Sequence, residues 1–338
     1  MSTVMDIQGN ILVRAERLAK HFPVRSGLFR RATGLVKAVD GVDLEIREGE
    51  TLGLVGESGC GKTSLGQLLL YLEEATAGRV HFGGVDLSTL DARGMRSLRR
   101  SMQVIFQDPF SSLDPRMTVG AILEEPFVIH GLYDRKERRE RASALLEMVD
   151  LRSEMFDRFP HEFSGGQRQR IGIARALALD PRFVVCDEAV SALDVSIQAQ
   201  ILNLLIRLQT RLKLTYLFIA HDLNVVNYIS DRVAVMYLGR IVEVAPAQRL
   251  SRPGLHPYTS ALLLSSPEPE PGSAREKRAL RGEIANPLHP PSGCHFHPRC
   301  PLVMERCGRE VPALAEVESG HPVRCFRYHD RAEGTGAP

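Results

Sequence analysis

A glycine-rich segment with one lysine and one threonine carries the residues best suited to chemistry in this sequence. Residues 56–63 read G-E-S-G-C-G-K-T and match the phosphate-binding P-loop pattern, G-x-x-x-x-G-K-[ST]. Glycines have no Cβ, so backbone N–H groups in such a loop can turn towards an anion. Lys62 is expected between the outer phosphates, and the Thr63 hydroxyl on Mg²⁺. The segment therefore predicts a site for a nucleoside triphosphate.

The residues around the P-loop favour this prediction over a glycine-rich turn before a buried helix. An apolar strand pattern at 51–55 precedes the loop, and an apolar helical pattern at 65–72 follows it. Strand, loop and helix are the context that this motif requires. The predicted nucleotide contacts are Gly56, Glu57, Ser58, Gly59, Cys60, Gly61, Lys62, Thr63 and Ser64.

Two adjacent carboxylates end a second apolar strand pattern, residues 182–188 (R-F-V-V-C-D-E). Asp187 is expected to hold Mg²⁺, and Glu188 to orient or deprotonate a water molecule beyond the γ-phosphate. A solvated turn is the alternative, but adjacent carboxylates at the end of a buried strand are costly without a compensating cation. The pair predicts a metal ligand next to a general base.

A serine and two glycines open a helical pattern at 164–167 (S-G-G-Q). S-x-x-Q is a capping box, and helix capping alone would explain Ser164 and Gln167. Capping is compatible with anion binding, because a capped helix N-terminus with Gly165 and Gly166 leaves its amides accessible.

Three single residues complete the set of candidates: Gln107 in V-I-F-Q-D-P, Asp194 in S-A-L-D and His221 in A-H-D-L. An isolated histidine at the end of a strand is more often a core residue. Its position one strand after Glu188 favours a functional role for His221.

Alternating strand and helix patterns predict the sheet that positions these residues. Strand patterns at 183–186 and 214–219 flank a long helical pattern at 197–212, which predicts a β-α-β unit and a mainly parallel sheet. Strand patterns at 233–237 and 241–244 predict a further hairpin.

The first part of the chain reads as short strands, and the middle as helices. Residues 93–173 are predicted to be helical, with Asp134 in a capping arrangement before the amphipathic segment 138–149. Gly83 and Gly84 indicate a hairpin. The predicted strands of the first part are 11–14, 36–39, 42–46, 51–55, 79–82 and 85–86.

The composition is that of a globular protein and argues against several classes of function. The chain has 338 residues and a formal net charge of only +2, so no overall basic field points to nucleic acid. No apolar stretch has the length of a membrane span, and the N-terminus lacks a secretory signal pattern. We therefore expect a cytosolic protein that docks on membrane proteins.

In chain order, the motifs resemble the complete set of the ATP-binding-cassette (ABC) ATPases: residues 56–63, Gln107, residues 164–167, Asp187, Glu188, Asp194 and His221. The resemblance covers about residues 11–245. It implies a P-loop NTPase α/β fold with a mainly parallel core sheet, an antiparallel β subdomain and a helical subdomain. We place the ABC ATPase domain at 1–250, with its helical subdomain at about 94–173.

The resemblance also implies ATP and Mg²⁺ as ligands, with Thr63, Gln107 and Asp187 at the metal. Glu188, His221 and Gln107 are implied as the catalytic residues.

A composite site follows from the same resemblance. Ser164, Gly165, Gly166 and Gln167 of one subunit would cover the γ-phosphate held on the P-loop of the opposing subunit, so hydrolysis needs a dimer. Asp194 matches the loop that crosses the dimer axis. Phe22 matches the aromatic residue that stacks on adenine, with His21 as a rival.

Residues 251–338 form a predicted C-terminal extension. Segments 256–259 (H-P-Y-T) and 290–301 (P-P-S-G-C-H-F-H-P-R-C-P) resemble the extension of ATPases that serve dipeptide and oligopeptide importers. Residues 22–42 resemble the second of the two ATPase subunits of such importers. Residues 265–273 are a linker by composition.

Four cysteines of this extension suggest a metal or cluster site. Cys294, Cys300, Cys307 and Cys325 lack a C-x₂-C pair, which disfavours a zinc ribbon. In related importer ATPases, four cysteines here resemble the ligands of a [4Fe–4S] cluster. We favour a cluster over zinc. In the zinc alternative, His295 and His297 could also be ligands, and reduced thiols without a metal are a third alternative. With little secondary-structure signal, the extension is expected to need such a staple.

The leading hypothesis is an ATPase subunit that energises import of dipeptides, oligopeptides or a related solute across the cytoplasmic membrane. ATP would close a dimer and hydrolysis would open it. The resemblance implies a second ATPase subunit, two transmembrane permease subunits and, indirectly, an extracytoplasmic solute-binding protein. A heterodimer of ATPase subunits is favoured, with a homodimer as the alternative that the sequence leaves open. The chain is expected at the cytoplasmic face of the membrane as a peripheral subunit. The transported solute cannot be read from this chain, because specificity lies in partner chains.

Two alternatives remain at this point. A soluble ABC ATPase acting on ribosomes or DNA usually has two cassettes or a long coiled-coil insert, and neither is present. A regulatory nucleotide-binding subunit would leave hydrolysis to its partner, but the intact Lys62, Asp187, Glu188 and His221 argue against it.

The sequence departs from the family pattern at two positions. Ala189 stands where proline is usual, which removes a fixed φ from the turn after Glu188. Cys60 stands where serine or alanine is common, and its thiol could make ATP binding sensitive to oxidation.

Overall fold

The computed structural model of the protein describes residues 10–26, 31–108, 112–251, 254–265 and 285–328. Its strands are β1 (Ile11–Ser26), β2 (Arg31–Arg47), β3 (Thr51–Val55), β4 (Ala77–Phe82), β5 (Val85–Asp86), β6 (Met102–Ile105), β7 (Phe183–Asp187), β8 (Thr215–Ile219), β9 (Arg232–Tyr237), β10 (Arg240–Pro246), β11 (Ala315–Glu318) and β12 (His321–Val323). Its α-helices are α1 (Lys62–Leu69), α2 (Ala92–Leu98), α3 (Val119–Ile129), α4 (Arg135–Met148), α5 (Gly165–Leu177), α6 (Val195–Leu212), α7 (Leu223–Ile229) and α8 (Pro257–Ser265).

The chain divides into two compact units. The first contains residues 1–88 and 220–338, and the second contains residues 89–219. The predicted boundaries at 94, 173 and 250 come from the resemblance to a family and not from compactness, so this division does not test them and they stay predictions.

The first unit contains two groups of paired strands. An antiparallel sheet has the order β2-β1-β4-β5. A mixed group has the order β11-β12-β10-β9-β3, in which β3 and β9 run parallel and the other pairs antiparallel. All five residues of β3 are buried, so the P-loop that follows it starts from a rigid core strand.

The second unit contains a parallel group of three strands in the order β8-β7-β6. Phe183, Val184, Val185 and Cys186 of β7 are all buried, and Asp187 is the first half-buried residue. Side chains cap the N-termini of its helices in the way that the sequence suggests: Asp134 accepts a hydrogen bond from the Glu137 amide at 2.9 Å and begins α4.

Two predictions about the elements are wrong, and both errors have local causes. Residues 102–105 form β6 within a region that was expected to be helical, because a four-residue strand carries little periodic signal. Residues 36–39 and 42–46 are parts of one strand, β2, that continues through Gly41 with a positive φ. The predicted linker at 265–273 lies almost wholly outside the described residues. Within the described residues, no helix combines the length and apolar character needed to cross a membrane.

The C-terminal extension is attached to the core of the first unit through one buried carboxylate. Glu243 of β10 is completely buried. It accepts hydrogen bonds from His321 Nε2 at 2.7 Å and from the amides of Leu255 and His256 at 3.0 and 2.9 Å. Because an ionised carboxylate only accepts, His321 carries its proton on Nε2. One side chain thus fixes both the start of α8 and the strand β12.

Burial opposes ionisation of Glu243, but the hydrogen bonds from His321 and the backbone outweigh it and hold the pKa of Glu243 below its ordinary value. A lowered pKa means that the ionised carboxylate stabilises the folded chain. This contribution is complete above the ordinary value of 4.5 and is lost as the pH falls through the folded-state pKa.

We expect Glu243→Gln to lower the free energy of unfolding at pH 7 by about 2–3 kcal/mol, because an amide NH₂ then faces buried donors. Urea unfolding of the full chain measures this. The difference from the wild-type protein should shrink when the pH falls below about 4.5. Glu310→Gln, an exposed change in the same extension, is the control and should have an effect within about 0.5 kcal/mol. An equal loss for both variants would contradict this role of Glu243.

Candidate nucleotide-binding site

The P-loop joins β3 to α1 and has the geometry of an anion cradle. Gly56, Gly59 and Gly61 have φ values of 159°, 76° and 107°, of which the last two fall well within the region that favours glycine. Gly61 is the N-cap of α1, and no side chain caps this helix. Its first amides are therefore not occupied by a side-chain cap and can bind an anion.

Two of these glycines are also required by close packing. A Cβ on Gly56 would lie 2.2 Å from the carbonyl oxygen of Met236, and one on Gly61 would lie 1.9 Å from that of Ala38. Backbone atoms cannot move aside as a flexible side chain can. The loop is therefore pressed against two neighbouring segments, which fixes the direction of its amides.

Lys62 lies buried across the loop that it belongs to. Its Nζ donates hydrogen bonds to the carbonyl oxygens of Gly56 at 2.9 Å and Glu57 at 3.2 Å. These two bonds hold the ammonium group beside the loop, where it can exchange a carbonyl partner for a phosphate oxygen. Thr63 and Ser58 are exposed and Ser64 is half-buried.

The two candidates for the adenine contact have different surroundings. His21 Nε2 lies 3.3 Å from Asp40 Oδ1, and Arg240 donates from Nε and Nη2 to the other oxygen, Oδ2, at 3.0 and 2.7 Å. Phe22 is half-buried, and the Lys20 ammonium lies 5.0 Å from its ring centroid. A half-buried aromatic ring suits stacking better than an imidazole that lies beside a carboxylate.

The predicted serine–glycine helix N-terminus begins α5 in the second unit. Ser164 Oγ accepts a hydrogen bond from the Gln167 amide at 3.4 Å, and the Gln167 side chain accepts one from the Ser164 amide at 3.0 Å. This is the reciprocal capping box that the sequence indicates. Ser164 is exposed, so the cap leaves the hydroxyl on the surface.

Glycine at position 166 is required by packing of α5 on α6. A Cβ on Gly166 would lie 2.5 Å from Cγ2 of Ile197, a β-branched side chain. On Gly165 it would lie 3.6 Å from Leu193, which is an ordinary contact. The glycine pair therefore lets the N-terminus of α5 approach the segment that contains Asp194.

Glu188 is held in an unusual backbone conformation directly after β7. Its φ is 47°, a left-handed value that is rare for residues other than glycine and that recurs at functional sites. Gln107 Nε2 donates a hydrogen bond of 2.8 Å to Glu188 Oε2. Glu188 and Gln107, 81 residues apart in sequence, are thus brought together as a carboxylate and its orienting amide.

The turn after Glu188 is closed although proline is absent. The Ser191 amide and hydroxyl donate to the Glu188 carbonyl oxygen at 3.0 and 2.9 Å, and Ala189 is buried.

The P-loop cysteine, Cys60, is also buried, and burial raises the pKa of its thiol. A protonated, enclosed thiol reacts poorly with oxidants, so this structure does not favour the expected oxidation sensitivity.

The remaining predicted residues lie at the ends of elements. Asp194 is exposed and precedes α6, where its side chain makes no capping hydrogen bond. His221 is exposed and follows β8, immediately before Asp222, which caps α7. Because His221 is exposed, it is not a buried core histidine, which was the alternative to a functional role.

The four cysteines of the extension are free thiols, and Cys307 is the buried one among them. Burial raises the pKa of Cys294 to about 11, and the nearby Cys300, Cys307 and Cys325 contribute to the rise. Among the described residues, which include all four, no three His, Cys, Asp or Glu side chains are placed to hold a metal ion. His295 and His297 donate from Nδ1 to the carbonyl oxygens of Leu238 and Cys294. The arrangement gives no support to zinc or to a cluster.

Sequence reasoning missed one pair of residues at the P-loop. Arg299 and Tyr258 of the extension both bind Glu57, the second residue of the loop. The segments that carry them are recognisable in the sequence only as family signatures. Their spacing does not indicate a contact with a residue that lies more than 200 positions earlier in the chain.

Comparisons with known proteins agree with these features. The ABC transporter family matches residues 39–191, and the C-terminal region of oligopeptide/dipeptide transporters matches residues 242–307. A putative peptide import ATP-binding protein of Brucella ovis is 54% identical over 316 residues, which is 94% of this chain and 98% of that protein. The oligopeptide transport ATP-binding protein AppF of Bacillus subtilis is 52% identical over 312 residues, 91% of this chain and 95% of that protein.

Solved structures show the same fold. The ATP-binding cassette MJ0796, in a dimeric post-hydrolysis state bound to ADP and Pi, is 28% identical with a TM-score of 0.62 and covers 70% of this chain and 99% of its own. CbiO1 of Clostridium perfringens, part of the ABC transporter complex cbiONQ, is 25% identical with a TM-score of 0.62 and covers 72% of this chain and 91% of its own. The chain therefore belongs to the ATP-binding subunits of the oligopeptide and dipeptide ABC transporter family, and it is an ABC-type ATPase coupled to transport.

Proposed function

We propose that this chain hydrolyses ATP only in a face-to-face pair of ATPase subunits and thereby energises import of dipeptides, oligopeptides or a related solute. The observation that carries the proposal is the helix N-terminus of α5, where Ser164 is exposed and two glycines leave the amides uncovered. Such an N-terminus attracts the γ-phosphate of a nucleotide on an opposing P-loop. The solved structure of MJ0796 with ADP and Pi is dimeric, which supports the same arrangement.

Glu188 is the general base in this proposal, and Gln107 is its orienting partner. The 2.8 Å hydrogen bond from Gln107 orients the carboxylate, and the backbone of Glu188 is left-handed directly after the strand. His221, exposed at the end of its strand, would contact the γ-phosphate. Mg²⁺ would be held by the Thr63 hydroxyl and the Asp187 carboxylate, whose oxygens are ligands that this ion prefers, and it would neutralise phosphate charge.

The proposed complex contains a second ATPase subunit, two permease subunits and an extracytoplasmic solute-binding protein, with this chain at the cytoplasmic face of the membrane. Exposed apolar side chains of the second unit suit a permease contact: Phe106, Val128 and Ile129 are 46%, 55% and 53% exposed. Phe106 precedes Gln107 in sequence, so movement of a permease helix bound at Phe106 would shift Gln107 and thereby the carboxylate of Glu188. Identifying the proteins that co-purify from gently solubilised membranes tests this composition.

We expect Glu188→Gln to lower the ATPase rate of the assembled complex by about a hundredfold or more, because the general base is lost. ATP binding should persist, and the paired subunits should accumulate in an ATP-bound state that size-exclusion chromatography detects. Glu147→Gln, an exposed change on α4, is the control and should leave the rate unchanged. A rate that is little changed in the Glu188 variant would favour the regulatory alternative.

Two glycines of α5 provide a matched test of the composite site. Gly166→Ala forces a Cβ against Ile197 and should displace the N-terminus of α5, so ATP-dependent pairing and ATPase rate should fall at least tenfold. Gly172→Ala meets nothing within 4 Å and should raise helix stability by up to about 1 kcal/mol with normal activity. Brisk hydrolysis by a monomeric Gly166→Ala protein would contradict the composite site.

The [4Fe–4S] assignment of Cys294, Cys300, Cys307 and Cys325 stays a prediction. It requires a visible absorption band together with iron and acid-labile sulfide in the full chain purified without oxygen. Cys300→Ser should abolish all three signals if the cluster is present. A colourless, iron-free protein with normal ATPase activity in its complex would show that these residues are reduced thiols.

A further inference from the structure

The C-terminal extension reaches the P-loop through a buried ion pair. Arg299 donates from Nη1 and Nη2 to the two carboxylate oxygens of Glu57, at 2.8 and 3.0 Å. The Arg299 side chain is 6% exposed and that of Glu57 is 18% exposed. A bidentate pair with little access to water fixes the relative position of its two side chains more strongly than a surface pair does.

A second contact acts on the backbone of the same residue. The Glu57 amide donates to Tyr258 Oη at 2.9 Å, so this N–H does not point freely into the loop. Tyr258 belongs to α8 and is completely buried. Side chain and backbone of Glu57 are therefore both bound by the extension.

The residues that bind Glu57 are themselves fixed by aromatic packing. The ring of Tyr258 lies 4.6 Å from that of Tyr237 and 5.4 Å from that of Phe296, measured between centroids. Arg299 also contacts Tyr237, whose hydroxyl accepts from Nη1 at 3.4 Å. Side chains in such a cluster lose little additional freedom when they hold a partner, which makes them effective positioning groups.

The backbone that carries Arg299 is anchored on the strand hairpin next to the P-loop. His295 donates to the carbonyl oxygen of Leu238, in the turn between β9 and β10. The amide of the adjacent Gly239 donates to the carbonyl oxygen of Cys60 at 2.9 Å. The extension thus contacts the P-loop directly at Glu57 and is linked to it again through this turn.

We propose that Arg299 and Tyr258 are positioning residues of the nucleotide site, which hold Glu57 so that the P-loop keeps the conformation that receives the phosphates of ATP. The extension is then a part of the nucleotide-binding machinery, acting through Glu57. Loss of these contacts should weaken ATP binding and spare turnover at saturating ATP. The inference rests on the P-loop as the ATP site.

A double-mutant cycle on the full chain tests the proposal, with a fluorescent ATP analogue as the probe of affinity. Arg299→Gln and Glu57→Gln should each weaken binding about tenfold, because each breaks a charge-assisted pair. The double variant should bind no more weakly than either single variant, since the second change removes nothing further. Arg299→Lys keeps the charge without the planar fork and should restore part of the affinity.

Tyr258→Phe provides a second variant that preserves the aromatic packing and removes only the acceptor of the Glu57 amide. It should weaken the analogue about threefold, the usual contribution of a neutral hydrogen bond. Arg306→Gln is the control, because Arg306 lies in the same extension and donates to the carbonyl oxygen of Phe326. It should leave the affinity unchanged.

The outcomes separate positioning from two other roles. Additive effects of Arg299→Gln and Glu57→Gln would show that Arg299 attracts the nucleotide by its charge alone, and would overturn the proposal. A purely structural role predicts that the Arg299 and Arg306 variants lose affinity equally, in step with a fall in their melting temperatures. That result would also overturn the proposal. In the assembled complex, the KM for ATP should rise while kcat stays within about twofold.

Lys62→Ala distinguishes failure of this inference from failure of the proposed function. If the analogue binds normally to Lys62→Ala, the P-loop is not its site and both fail. If Lys62→Ala abolishes binding and Arg299→Gln does not change it, only the inference about the extension fails.

Discussion

Binding of a triphosphate by backbone amides requires that a short loop be both uncovered and immobile, and much of this structure answers that requirement. The P-loop has no side-chain cap at the start of α1. Its glycines lie against the carbonyl oxygens of Met236 and Ala38 at distances that leave no room for a Cβ. Amides that lack a side-chain cap keep their direction only if the surrounding backbone cannot move. The buried strand before the loop and the segments pressed against it provide that rigidity.

The C-terminal extension is part of the same mechanical arrangement. Its attachment point, Glu243, is a fully buried carboxylate whose acceptor sites are used by one histidine and two backbone amides of the extension. From that attachment, Tyr258 and Arg299 reach Glu57. A buried carboxylate is stable only when its hydrogen-bond donors are all in place. Because these donors belong to the extension, the stability of β10 depends on the folding of the extension.

Local patterns predicted much of the framework. Residues 51–55 form a strand with the predicted bounds, and the capping residues Asp134 and Ser164 begin helices as expected, because caps and strand patterns act over a few residues. The family assignment follows from motifs whose spacing is set by the chemistry of ATP. The short strands β6, β11 and β12 were missed. The strands β6 and β12 pair with strands distant in sequence, and β11 is a four-residue strand that pairs with β12 and carries little periodic signal. The four-cysteine site of the extension was predicted from a resemblance to related importer ATPases and from the spacing of its cysteines, and it stays a prediction.

The sequence by itself determined the family and the candidate residues for the chemistry: a glycine-rich loop with lysine, a strand ending in two carboxylates, and a capped helix with two glycines. These features are local, and each motif brings its own geometry. Only the tertiary structure decided how they are supported. It gave Glu188 a left-handed backbone with Gln107 bonded to it, and it placed Arg299 on Glu57 across 242 residues of sequence. Such contacts depend on which strands pair and which side chains are buried together, and no periodicity or spacing along the chain records that.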